Sequence, residues 1–272
     1  MEPLKAMIRG IRIGYREAGD PYGEPLVLLH GFTGSSASWI EFADEFASCR
    51  LIMPDLTGHG HSAAPDVSGR YAMEEQVADM DALFTRLGLD RFSLLGYSMG
   101  GRIAIGYAAK HPEKISRLIL ESTSPGLETE DERRSRRESD EKLAAFIERE
   151  GIRAFTARWE NIPLFASQTR LPKDVREHVR SGRLENDPAG LAASLRGIGT
   201  GSQPSYWDNL EEFRMPVTLI TGALDEKYVN IAEDMARQLP DSSHVTVPGA
   251  GHTVHVENPA RFATIVKEAL KP

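Results

Sequence analysis

The pentapeptide Gly96-Tyr97-Ser98-Met99-Gly100 sets a serine between two glycines. A lone serine hydroxyl is a weak nucleophile and a weak base. Chemistry at Ser98 therefore needs a histidine to take its proton and a carboxylate to orient that histidine. Downstream, the apolar run VTLIT ends in Gly222-Ala223-Leu224, followed by Asp225 and Glu226. Asp225 comes first after the turn, and its shorter side chain suits a fixed bond to an imidazole. It is the preferred acid, with Glu226 the alternative. His252 follows the run HVTVP and the loop Gly249-Ala250-Gly251, whose small residues let a ring swing over a sheet edge. It is preferred over His255, which reads as capping or packing. His111, His178 and His244 read as surface or loop residues.

A G-x-S-x-G match alone is common by chance, and its context gives it meaning. An apolar run, FSLLGYS (92–98), precedes the serine, and a helical pattern continues to Pro112. A serine at a sharp strand-to-helix turn has neighbouring chain passing close by, and glycines at 96, 100 and 101 remove the Cβ atoms that would clash. The helix N-terminus then offers backbone N–H groups to negative charge. His30-Gly31-Phe32-Thr33-Gly34 follows another apolar run. In this arrangement one oxyanion donor comes from such a loop and the other from the residue after the serine, which points to the N–H groups of Phe32 and Met99. His59 and His61 could suggest a metal pair, but no carboxylate or cysteine lies at ligand spacing nearby. A turn is the expectation, with no metal and no cofactor.

These residues need elements to hold them. Continuous apolar runs at 25–31, 51–56, 92–98 and 115–122 read as strands buried on both faces. Residues 36–47 carry apolar residues at helical spacing, and 72–89 is an amphipathic helix. From Leu127 to Ser205 no strand is evident. Charged amphipathic pieces at 128–150, 151–168, 173–185 and 188–197 dominate. The alternation returns with a strand at 215–225, a helix at 229–239, a strand at 244–252 and a final helix at 258–271. Alternating β and α units imply an α/β fold, a mostly parallel sheet with helices on both faces. The core is expected over 1–126 and 206–272, with 127–205 a helical cap inserted past the carboxyl end of a strand, where open α/β sheets bind ligands. The N-terminal segment alternates around Ile8, Ile11 and Ile13 and reads as short strands rather than a signal peptide.

The 272 residues contain no run of 18 apolar residues, so no membrane insertion is expected. Cys49 is the single cysteine. It permits no intrachain disulfide and reads as structural, which favours a cytoplasmic location. The 32 basic and 40 acidic residues give a formal charge of −8, which argues against nucleic acid as a partner. That charge is unevenly spread. Residues 127–205 carry 14 basic and 14 acidic side chains, and 12 of the 14 bases are arginine. Arginine pairs with carboxylates through two parallel bonds and stays charged when partly buried. Most of these arginines read as helix-surface ion pairs, as with Glu132, Arg136 and Asp140 at i, i+4 spacing. Arg102, one turn past Ser98, points instead to a small anionic substrate.

Together these residues resemble the α/β-hydrolase superfamily over essentially the whole chain: HGF at 30–32, DLTGHGHS at 55–62, GYSMGG at 96–101, the GALD acid turn and the GAGH histidine loop. GYSMGGR (96–102), LESTSPGLE (120–128), WENIPLFASQ (159–168), RLENDPAGLAASLRGIGTG (183–201) and GHTVHVENP (251–259) are similar to the MenH family of menaquinone biosynthesis, whose members are 2-succinyl-6-hydroxy-2,4-cyclohexadiene-1-carboxylate synthases. The resemblance implies a lyase that removes a proton and expels pyruvate from a multi-carboxylate substrate, without cofactor or metal. It implies a triad of Ser98, Asp225 and His252, with Tyr97 and Arg102 beside the serine. In the cap it implies substrate contacts from Arg136, Trp159 and Arg183. The cluster Arg133-Arg134…Arg136-Arg137 leaves Arg137 as the alternative to Arg136. The expected state is a monomer or weak homo-oligomer.

The competing readings are a serine hydrolase acting on an ester, thioester or C–C bond, and a ligand receptor that keeps the fold. An aspartate-nucleophile relative is disfavoured because position 98 is serine. The triad alone does not separate lyase from hydrolase; the product does.

Overall fold

A computed structural model describes residues 1–271. The N-terminal alternation forms a hairpin of β1 (Leu4–Ile8) and β2 (Ile11–Gly19). Its turn residues Arg9 and Gly10 both have positive φ, as a two-residue hairpin turn requires. The remaining strands are β3 (Pro25–Leu29), β4 (Arg50–Pro54), β5 (Phe92–Tyr97), β6 (Ile115–Glu121), β7 (Val217–Gly222) and β8 (Ser242–Val247). They form one eight-stranded sheet in the order β1-β2-β4-β3-β5-β6-β7-β8. β2 pairs antiparallel with β1 and β4, and every other pairing is parallel. β3, β5 and β6 are almost wholly buried, which is why they read as unbroken apolar runs.

Helices cover both faces. On one, α1 (Met73–Arg86) and α2 (Met99–Lys110) pack Met80, Phe84, Ile103 and Tyr107 against the sheet. On the other, Trp39 and Phe42 meet Phe262 and Val266. The first pair belongs to a 3₁₀ segment over Ser36–Phe42, opened by a capping box on Ser35, so the helical spacing at 36–47 does not produce an α-helix. The second pair lies on the last helix. Strands stop short of their expected ends, β3 at Leu29 rather than 31 and β8 at Val247 rather than 252, because the chain turns away into the loops that carry the candidate site residues.

Between β6 and β7 run α3 (Glu130–Trp159), α4 (Lys173–Leu184) and α5 (Pro188–Ile198). Gly151, at φ 75° and ψ 176°, breaks α3 at the expected boundary. The second piece ends at Trp159 rather than 168. Pro163 forces Ile162 into an extended conformation, and a 3₁₀ segment follows over Pro163–Arg170. Ala144, Ile147 and Phe155 of α3 pack with Leu191 and Leu195 of α5 in a small core of their own. After β7 come α6 (Glu226–Gln238), α7 (Val254–Glu257) and α8 (Pro259–Ala269). Among the described residues no helix is long and apolar enough to cross a membrane.

Candidate active site

Ser98 sits between β5 and α2 at φ 50° and ψ −107°, a strained conformation costing about 1–3 kcal/mol. The glycines that permit it are held by close approach. A Cβ on Gly96 would lie 2.5 Å from the Gly100 carbonyl oxygen, and one on Gly100 would lie 2.4 Å from that of Leu29. The Ser98 N–H donates to the Glu121 carbonyl at the end of β6, at 2.9 Å.

The structure brings the three expected side chains together. His252 Nδ1 lies 2.7 Å from Asp225 Oδ2, and His252 Nε2 lies 3.0 Å from Ser98 Oγ. With Nδ1 donating to the carboxylate, Nε2 accepts from the serine hydroxyl. His252 is 1% exposed and is walled in by Tyr228, Tyr97 and Phe165, with ring centroids 4.6, 5.5 and 6.1 Å away. Asp225 is the N-cap residue of α6, while Glu226 faces solvent. The acid turn and the histidine loop are stitched together. Ala223 N–H donates to the Val247 carbonyl and Leu224 N–H to that of Ala250, each at 2.9 Å. A Cβ on Gly222 would meet the Gly251 oxygen at 2.2 Å, so only glycine fits there. His255 lies apart from the triad. It is buried, and its Nδ1 is bonded to Glu121 Oε2 at 2.8 Å.

Of the two expected oxyanion donors, Met99 directly follows the serine and Phe32 lies in the loop after β3. Met99 is the first residue of α2, so its N–H has no carbonyl one turn back. Phe32 lies in the turn Gly31–Gly34, closed by Gly34 N–H to Gly31 O at 3.0 Å. A Cβ on Gly31 would meet the Tyr97 ring at 2.5 Å, so the loop rests on the residue before the serine.

Around this centre the charge is unusual. Arg102 donates to the Ile198 carbonyl at 2.6 Å and to Gln203 Oε1, both neutral, and burial pushes its pKa down to about 10. Arg183 is 7% exposed, lies over the Phe165 ring at 4.8 Å and donates to Gln168 Oε1 at 3.3 Å. Burial lowers its pKa as well. Among the described residues neither guanidinium pairs with a carboxylate. Arg136 pairs with Asp140 at 2.8 Å as the spacing suggested, and its charge reaches Arg102 and Tyr228. Glu132 does not join them, because it closes the capping box of α3 with Thr129. Arg137 turns away to the Gly201 carbonyl and Glu130. Trp159 stacks on Phe155 and meets Phe32 edge-on at 5.5 Å, with its indole N–H buried and without a hydrogen-bond partner among the described residues.

Among the described residues no cluster of three or more His, Cys, Asp or Glu side chains could hold a metal ion. His59 is buried against His30 and Phe32, and burial pushes its pKa down to about 3. Cys49 is half-buried, with its thiol pKa raised by burial. His178 is exposed and His244 half-buried on β8, whereas His111 closes the C-terminus of α2.

Four neighbours of the site are not marked out by their own residue type or spacing. Gln168 donates to Thr253 Oγ1 at 2.9 Å, and Thr253 lies 3.2 Å from the Tyr97 hydroxyl. One amide thus links Arg183 to the residues beside His252 and Ser98. Tyr228 covers His252, and Glu257 accepts the Gly251 N–H at 2.7 Å to brace the histidine loop.

Residues 24–259 match the family model of the alpha/beta hydrolase fold. The chain is 50% identical over 261 residues, 96% of its length and 95% of the relative's, to a Bacillus subtilis (strain 168) protein provisionally named 2-succinyl-6-hydroxy-2,4-cyclohexadiene-1-carboxylate synthase. It is 34% identical to the Enterobacter sp. (strain 638) protein of that name, covering 95% of this chain and 96% of the other. The solved structure of MenH from S. aureus superposes with a TM-score of 0.90 at 35% identity, covering 95% and 97% of the two chains. With this architecture and these relatives, the chain belongs to the α/β-hydrolase superfamily and, within it, to the MenH family of 2-succinyl-6-hydroxy-2,4-cyclohexadiene-1-carboxylate synthases.

Proposed function

We propose that this chain is the pyruvate-eliminating lyase of menaquinone biosynthesis that its relatives' names describe. It converts 2-succinyl-5-enolpyruvyl-6-hydroxy-3-cyclohexene-1-carboxylate to 2-succinyl-6-hydroxy-2,4-cyclohexadiene-1-carboxylate. His252, oriented by Asp225, makes Ser98 basic enough to take the ring proton α to the succinyl ketone. The N–H groups of Phe32 and Met99 hold the enolate oxygen. The electron pair then moves through the ring and expels the enolpyruvyl group as pyruvate. The serine acts as a base, so no acyl-enzyme forms.

The observation that carries this reading is the pair of desolvated guanidiniums, half-buried Arg102 and buried Arg183, that make no ion pair with a carboxylate among the described residues. A triad alone serves ester hydrolysis equally well. Desolvated cations whose hydrogen bonds go only to neutral groups call for an anionic ligand, here one bearing several carboxylates. Tyr97, Arg136 and Trp159 complete the substrate-binding set in this reading. Residues 1–126 and 206–272 form the core and 127–205 the cap. The protein works in the cytoplasm as a monomer or weak homo-oligomer, without a cofactor.

The test is a coupled pyruvate-release assay with the enolpyruvyl substrate, run beside a simple aryl ester, on the parent and on Ser98→Ala. Pyruvate release by the parent, abolished in Ser98→Ala, is expected. Strong ester turnover without pyruvate, or a Ser98 acyl adduct from the physiological substrate, would overturn the reading.

A further inference from the structure

The loop that carries Phe32 is strained. Thr33, third residue of the Gly31–Gly34 turn, has φ 67° and is buried. That turn position is normally glycine or asparagine, and a β-branched residue rarely adopts positive φ. A neutral chain would relax such a turn unless its surroundings over-determine it. From below, Asp55 accepts the Ser36 N–H at 2.6 Å and the His61 N–H at 2.9 Å, tying the loop to the 55–62 turn. From above comes Asn186, in the link between α4 and α5.

Asn186 is 4% exposed. Its Nδ2 donates to the Thr33 carbonyl at 2.8 Å and also faces the Gly182 and Arg183 carbonyls at 3.2 and 3.4 Å. Its Oδ1 accepts the Gly60 N–H at 3.4 Å. Three carbonyls surround the nitrogen and one N–H meets the oxygen, so a single amide orientation satisfies the site. Arg183, three residues earlier, is the cap guanidinium that faces the substrate in the reading above.

We propose that Asn186 is a positioning residue that holds Thr33 in its strained conformation, so that the Phe32 N–H is aimed at the developing enolate whenever the cap is seated. This rests on the oxyanion role given to Phe32 under the proposed function. The bond joins cap to core across 153 residues of sequence, so the donor is aligned only in the assembled molecule.

The experiment compares the parent, Asn186→Ala, Asn186→Asp and the double variant Asn186→Ala/Thr33→Gly. Pyruvate release, inactivation of Ser98 by a fluorophosphonate and thermal melting are measured on each. Loss of one oxyanion donor slows enzymes by about 10²–10³-fold, so a misaimed donor should lower kcat by roughly 10- to 100-fold in both single variants, with KM little changed. Inactivation by the fluorophosphonate, whose oxygen uses the same donors, should slow in parallel. Glycine at 33 adopts positive φ without strain, so the double variant should recover most of the lost rate. Parent-like rates in Asn186→Ala would overturn the proposal. So would losses that track melting and are not recovered by Thr33→Gly. A parent that releases no pyruvate would refute the lyase reading alone, and the fluorophosphonate rates would still decide the role of Asn186.

Discussion

Replacing Arg102 with methionine separates binding from stability. The guanidinium keeps its charge in a buried place, where its pKa falls from the ordinary 12.5 to about 10. That difference is a cost of roughly 3 kcal/mol to the folded protein. Its two hydrogen bonds, to the Ile198 carbonyl and to Gln203, return about 1.5–3 kcal/mol each. The two sides nearly cancel, so the empty Arg102→Met protein should lie within about 2 kcal/mol of the parent, a melting shift under about 8 °C for a chain of this size. The substrate complex has no such cancellation, since a carboxylate left without its buried cation costs about 2–5 kcal/mol. kcat/KM for pyruvate release should fall roughly 30-fold or more, chiefly through KM. Proton loss works in the same direction. As pH rises through about 10 the free protein's Arg102 loses its charge, and KM should climb in the parent but not in Arg102→Met. The unfolded chain holds that proton up to 12.5, so the contribution of Arg102 to stability rises with pH across the same window. Steady-state kinetics and a melting curve on one preparation decide the matter. A kcat/KM near that of the parent, or a collapse in melting temperature at full specific activity of the folded fraction, would refute the reasoning.

Gln168→Leu keeps the volume of the side chain but cuts the chain of bonds from Arg183 through Thr253 to Tyr97. At about 1 kcal/mol per bond it should raise KM by roughly tenfold with a smaller effect on kcat, and an unchanged KM would show that Arg183 needs no such support. His59 is neutral in the fold, its pKa pushed down to about 3 by burial, and His30 is shifted in the same direction. The unfolded chain takes up protons below about 6.5, so this stability is complete above that pH and is lost as pH falls toward 3. Between pH 6.5 and 5 the parent should lose about 2 kcal/mol more than His59→Gln in urea unfolding, and equal losses would contradict the assignment.

Several features of this protein follow from short stretches of sequence. The central strands announce themselves because both of their faces are buried. Ser98 announces itself because a strand-to-helix turn this tight admits only glycine at 96 and 100. Asp225 and His252 stand directly after strand-end turns, so local spacing was enough to single them out. The helical pieces between β6 and β7 were legible too, since Gly151 and Pro163 break the chain where they stand.

Other features depend on how distant segments seat against one another. Glu132 has the spacing of an ion pair yet caps its own helix, because Thr129 is nearer than Arg136. Arg136 and Arg137 are adjacent and chemically alike. Only the seating of α3 turns one toward Asp140 and the surroundings of Arg102 and the other toward Gly201. Gln168, Asn186 and Tyr228 look like ordinary polar or aromatic residues of solvated segments, and their partners lie as far as 153 residues away. By itself the sequence determined the fold class, the three side chains that meet at Ser98 and the excess of arginine in the insertion, since these depend on residue type and local order. The tertiary structure decided which arginines lack a counter-ion and which amides hold the loops, because desolvation and hydrogen-bond geometry exist only once the insertion is packed on the sheet.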